Sequence, residues 1–151
     1  PALALWLDGV GNPHNFGAVL RSAANFGAGG VILTADAGLS LSGAAYRAAE
    51  GGAEVVPLAK PQYGENLVAM LRDAGYSVAA TVPTGGESIY AKALPQRLAL
   101  VFGAEGSGMS DALITAADRR LTIPGTGNVE SLNIAASAAV ILAEHWRVTH
   151  I

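Results

Sequence analysis

The chain has 151 residues, 51% hydrophobic and 14% charged, a composition that builds one compact globule and excludes a disordered segment. Its formal net charge of −3 excludes a domain that grips nucleic acid by basic excess alone, because phosphate neutralisation drives such binding. Cysteine is absent, His14, His145 and His150 lack ligand spacing, and no unbroken apolar run reaches the ~18 residues of a membrane span. Disulfides, metal sites and membrane insertion are therefore set aside, and a cytoplasmic protein without a signal peptide is expected.

In chain order, residues 2–7 form the first apolar run and read as a buried strand. Phe16, Val19, Leu20, Ala23 and Ala24 then follow helical spacing, and Gly27 supplies a stop. Residues 30–34 read as a second strand, 42–49 as a short helix and 55–58 as a third strand. A helix over 65–74, closed by Gly75, precedes strands at 77–82 and 98–102. A short strand at 121–123 leads through a glycine-rich turn into the longest helix, 133–147. Strands separated by helices imply an α/β fold, a parallel sheet covered on both faces, here as a single domain over 1–151. From Ile134 to Ala143 only Ser137 is polar, so this helix needs cover on every side. Either it is central to the fold, or one flank meets a second copy of the chain.

Three segments have compositions suited to chemistry. The first, NPHNFGAVLRSA, follows the first strand. Pro13 ends that strand, and Asn15 is typed to cap the helix. Arg21 lies off the apolar stripe, and Gly17, one turn earlier, leaves space above its guanidinium. Such an Arg suits a phosphate or another anion; the plainer reading is a surface Arg on an amphipathic helix. The second, LVFGAEGSGMS, sets Gly103, Gly106 and Gly108 around Glu105 at the end of a strand. There main-chain groups can approach a ligand closely, or the loop is only a tight turn. Glu105 would pair with Arg21, orient a hydroxyl or sit in water.

The third, IPGTGNVESLNIA, starts at Ile123, between a strand and a helix, and prompts comparison with a dinucleotide fingerprint. It fails that test, since Glu130 stands at the sixth position and no strand follows the helix to carry a ribose-binding acid. No Gly-Lys-Ser/Thr occurs, so a phosphate-binding P-loop is excluded.

Together these segments carry a resemblance. Asn15-x-Gly17-x-x-x-Arg21, then Phe102-Gly103-x-Glu105-Gly106-x-Gly108, then Ile123-Pro124-Gly125 followed by Ser131-Leu132-Asn133, stand in the order and spacing of one family. The chain resembles the SpoU/TrmH family of RNA ribose 2′-O-methyltransferases, of the SPOUT superfamily, over essentially its whole length. The wording GTGNVESLNIA looks most like a poorly characterised bacterial branch of tRNA/rRNA methyltransferases.

The resemblance implies a parallel-sheet SPOUT fold with a C-terminal trefoil knot, a feature that general topology rules make rare. It implies S-adenosylmethionine held in a bent form by three loops, mainly through main-chain groups. In this sequence those are Thr81 and Val82, the loop from Gly103 through Glu105 to Gly108, and the stretch holding Ile123, Ser131 and Leu132. It implies a homodimer formed through the helix after Asn133, and tRNA or rRNA as the substrate. Arg21 matches the family's catalytic Arg, with Asn15, Glu105, Ser131 and Asn133 positioning it and the ribose. No metal is implied. Several relatives carry a substrate-binding domain or basic extensions that these 151 residues do not include. With the acidic balance, that gives a catalytic module depending on something further for RNA affinity. The alternative is a non-catalytic RNA-binding or assembly protein that retains the fold.

Overall fold

The computed structural model describes residues 2–34, 52, 56–61, 66–103 and 109–151. Its strands are β1 (Leu3–Asp8), β2 (Gly30–Thr34), β3 (Leu58–Ala59), β4 (Ser77–Thr81), β5 (Glu87–Ser88), β6 (Leu98–Gly103) and β7 (Arg119–Thr122). Its helices are α1 (Pro13–Asn25), α2 (Leu67–Asp73), α3 (Asp111–Ala116) and α4 (Ile134–His150). The strands form one seven-stranded sheet in the order β3-β2-β1-β6-β4-β7-β5, and every pair is parallel.

Strand pleating sorts the apolar runs onto two faces. Leu3, Leu5 and Leu7 of β1, with Leu98, Leu100 and Phe102 beside them on β6, join the core that includes Phe16, Val19 and Leu20 of α1 and Ile141 and Leu142 of α4. The intervening Trp6, Ala99 and Val101 face the other way, into a smaller cluster with Val68 of α2 and Leu113 and Ile114 of α3. Both faces are covered, which is why these strands read as continuous apolar runs rather than alternating ones. Trp6 keeps its indole N–H satisfied on the second face: it donates to the Thr34 hydroxyl (2.7 Å), which donates to Asp8 Oδ1 (2.7 Å).

Several expected boundaries shift. The third strand occupies Leu58–Ala59 rather than 55–58, and Val55 lies outside the described residues, as does the helix expected at 42–49. The last strand is Arg119–Thr122 rather than 121–123, its arginines held outside the apolar pattern by local partners. Arg119 reaches Glu87, and Arg120 donates to the Ile114 and Ala117 carbonyls. Two elements were not expected, the two-residue β5 and the six-residue α3, both too short to show a period. Helix α2 starts at Leu67, where Asn66 caps it by accepting from Ala69 N.

The start of α1 corrects the expected cap. Asn12, not Asn15, is the N-cap: its backbone is extended and its side chain accepts from Asn15 N at 3.1 Å. Pro13 takes the first helical position, where a missing N–H costs nothing. Asn15 thus stands inside the first turn, with its side chain available elsewhere. Gly17, one turn before Arg21, is buried, while Arg21 is exposed.

Candidate active site

The order of the sheet brings the site together. β6, β4 and β7 are neighbours although they are not consecutive in the chain, and they run the same way. Segments leaving their carboxyl ends therefore share one edge, the usual ligand-binding edge of a parallel sheet. A cleft of about 1340 Å³ opens there. Thr81 to Thr84 line it after β4, Phe102 and Gly103 after β6, and Ile123 to Asn133 contribute most of the third wall. Ile134, Ser137 and Ile141 of α4 floor it.

Of the candidate residues, Thr81, Val82, Gly103, Ile123, Ser131, Leu132 and Asn133 all line this cleft. Glu105 and Gly108 lie outside the described residues. Thr81 uses its hydroxyl to tie two walls, donating to Val101 O at 2.8 Å. Val82 is engaged on the main chain, its N–H donating to Leu121 O (2.9 Å) and its carbonyl accepting from the Thr122 hydroxyl (2.9 Å). In contrast, among the described residues the stretch 125–132 makes one main-chain hydrogen bond, from Asn128 N to the Thr126 hydroxyl (3.2 Å). Its other N–H groups are left to solvent or a ligand.

Asn15 and Asn133 meet across 118 positions of sequence: Asn133 Nδ2 donates to Asn15 Oδ1 at 3.0 Å. The same Asn133 caps α4, its Oδ1 accepting from Ala135 N (2.8 Å) and Ala136 N (3.4 Å). One side chain thus fixes the start of α4, borders the cleft and holds the first turn of α1. Arg21 stands further along α1. It is exposed, and it is not among the described residues that line the cleft. It lies six positions after Asn15, about 9 Å along the helix and about 120° around it.

Two positions that sequence reasoning passed over shape these parts. Gly52 sits against the backbone of α1, where a Cβ would come within 2.7 Å of Leu20 O and 3.0 Å of Arg21 Cα. Thr122 binds both ends of the 82–86 turn through its hydroxyl. The Gly51-Gly52 pair was the only sequence signal for the first. Thr122 gave none, since its meaning depends on which strands are adjacent.

Residues 2–143 match the sequence model of the SpoU rRNA Methylase family. The chain belongs to this family. It is 45% identical over 146 residues to the uncharacterized tRNA/rRNA methyltransferase YfiF of Escherichia coli O157:H7, covering 95% of this chain and 41% of that protein. It is 35% identical over 147 residues to the 23S rRNA (guanosine-2′-O-)-methyltransferase RlmB of Nitrosomonas europaea, covering 97% of this chain and 56% of that protein. The solved SpoU methyltransferase AviRb of Streptomyces viridochromogenes, in complex with the cofactor AdoMet, superposes with a TM-score of 0.82 at 30% identity. That match covers 95% of this chain and 59% of the AviRb chain. The chain therefore spans about two fifths to three fifths of these three proteins.

In this SpoU family member the third wall of the cleft leaves main-chain groups accessible. A Cβ placed on Gly125 or Gly127 would meet nothing within 4 Å, so no packing fills the space above that loop. Uncommitted N–H groups beside open space suit a ligand rich in polar atoms, and the apolar floor suits a flat ring. Among the described residues, no three His, Cys, Asp or Glu side chains gather as a metal site would require. The same residues include no helix long and apolar enough to cross a membrane.

Proposed function

We propose that this chain is the catalytic module of an S-adenosylmethionine-dependent methyltransferase acting on a ribose 2′-hydroxyl of tRNA or rRNA. The observation that carries this reading is the meeting of the bends after β4 and β7 with the end of β6, at Gly103, around one cleft bordered by the Asn15–Asn133 pair. S-adenosylmethionine supplies a methyl group already activated on a sulfonium, so no metal is needed. The main chain of 125–132, with the walls at Thr81 to Thr84 and at Gly103, would hold it.

The acceptor is the harder half, because a neutral hydroxyl is a poor nucleophile. A guanidinium is a permanent cation rather than a base, so the role of Arg21 is to hold an adjacent phosphate and stabilise the developing alkoxide while the hydroxyl proton passes to water. Asn15, Ser131, Asn133 and Glu105 position the ribose and the guanidinium.

The reading includes a homodimer in which Arg21, which is not among the described residues lining its own chain's cleft, serves the partner's cleft. Val129 and Leu132, 69% and 45% exposed beside the cleft, and the half-covered α4 support the same arrangement. The C-terminal trefoil knot belongs to this reading. It is supported by a β7 that lies between β4 and β5 and is followed by a helix packed on α1. Residues 1–151 are read as one catalytic domain, acting in the cytoplasm, within what is proposed to be a longer protein.

A second reading, an RNA-binding or assembly protein without catalysis, is favoured by the net charge of −3. The two separate when full-length protein is incubated with labelled methyl donor and RNA, and the RNA is digested to nucleosides. Label on the 2′-oxygen, lost in Arg21→Ala with cofactor affinity retained, is the expected result. Bound RNA without any transferred label would establish the second reading.

A further inference from the structure

Thr122 ends β7 at the edge of the cleft, and its hydroxyl is used twice. It donates to Val82 O at 2.9 Å and accepts from Gly86 N at 3.0 Å. Val82 and Gly86 are the two ends of the turn whose Pro83 and Thr84 wall the cleft. One oxygen therefore closes that turn like a clasp and fastens it to the strand that leads into the 123–132 bend. The fit is close. A Cβ on Gly86 would lie 2.6 Å from the Thr122 hydroxyl oxygen and 2.9 Å from Leu121 C and Val82 Cγ2. Only a residue without a side chain lets the turn come near enough for the hydroxyl to reach it. Main-chain bonds alone leave this closure incomplete: Val82 N donates to Leu121 O (2.9 Å) and Ile89 N to Thr122 O (3.2 Å), but residues 83–85 have no bond to β7.

We propose that Thr122 is a positioning residue whose hydroxyl holds the 82–86 turn in its binding shape and so sets the affinity of the cleft for S-adenosylmethionine. This rests on the reading of the cleft as the cofactor site. A cleft that must re-form its wall on binding loses affinity by the fraction of molecules in which the wall is open.

Thr122→Val removes both bonds while keeping the branched shape; Thr122→Ser keeps the hydroxyl. Binding of S-adenosylmethionine by calorimetry and thermal unfolding are measured on the parent and both variants. Two hydrogen bonds of ordinary net strength correspond to about a tenfold loss of affinity in Thr122→Val. Thr122→Ser is expected within about twofold of the parent, on the same scale of net bond strengths. Unfolding midpoints do not account for this difference if Thr122→Val is still folded at the titration temperature. Should Thr122→Val fail to fold, Thr122→Ala, which leaves room for a water, carries the same comparison. Parental affinity in a folded Thr122→Val or Thr122→Ala overturns the proposal alone. A parent that binds no S-adenosylmethionine overturns the reading of the cleft and the proposal with it.

Discussion

Gly125 stands where the third bend faces open space, with no atom within 4 Å of the position its Cβ would take. Its backbone lies outside the left-handed region, so a side chain there strains nothing. Gly125→Val is therefore expected to fold with a parental unfolding midpoint and to lose cofactor affinity by at least about tenfold, because the added methyls occupy ligand space. A destabilised variant with intact affinity would assign Gly125 to packing instead. Asn133 carries a different kind of weight, joining a helix cap to a contact with Asn15. Sequence motifs pointed to both residues, because their types are odd at the mouth of an apolar helix. They could not show that the two share a hydrogen bond. Thr122 and Gly52 escaped notice for the same reason: their importance lies in neighbours brought close by the fold.

At the level of elements, the apolar strands were legible because both sheet faces are buried, so β1, β2, β4 and β6 stand as plain runs of Leu, Val, Ile and Ala. β7 was only half visible. Its arginines break the apolar pattern yet pair in register with Ala79 and Ala80 of β4. The edge strand β5 is held partly by charge, since Arg119 bonds Glu87 and Lys92 lies 3.6 Å from the same carboxylate. The Arg119 hydrogen bond keeps the Glu87 carboxyl below its ordinary value of 4.5, with Arg119 and Lys92 charge acting the same way and partial burial opposing them. A lowered carboxyl pKa means that the folded chain binds fewer protons than the unfolded one. The stabilisation is then full above pH 4.5 and disappears as pH falls through the lower folded value. Denaturant titrations at pH 7 and at pH 3 are expected to show a smaller acid loss in Glu87→Gln than in the parent. An equal loss would mean that the pair contributes nothing to the edge. Glu144, held low by Arg147, adds a similar acid dependence on α4 and is unaffected by that substitution.

For the whole molecule, the sheet order explains how distant segments make one site. β6, β4 and β7 lie side by side, and no local pattern in the chain states that adjacency. The resemblance to a family was what indicated it. The proposed homodimer makes a prediction of its own. Arg21→Ala leaves a cleft without its guanidinium, and Gly125→Val leaves a guanidinium with its own cleft filled. If Arg21 serves the partner's cleft, mixing the two inactive proteins restores about one quarter of parental turnover, since half of the exchanged dimers are mixed and each holds one complete site. No recovery in a sample with verified mixed dimers would confine Arg21 to its own chain.

The most direct test of the cleft itself is a backbone-amide NMR titration of the protein with S-adenosylmethionine. The largest shifts are expected in residues 125–132, with smaller ones at Thr84 and Gly103, where the walls meet the ligand. Saturating cofactor that moves none of these amides, or moves only others, would contradict the account.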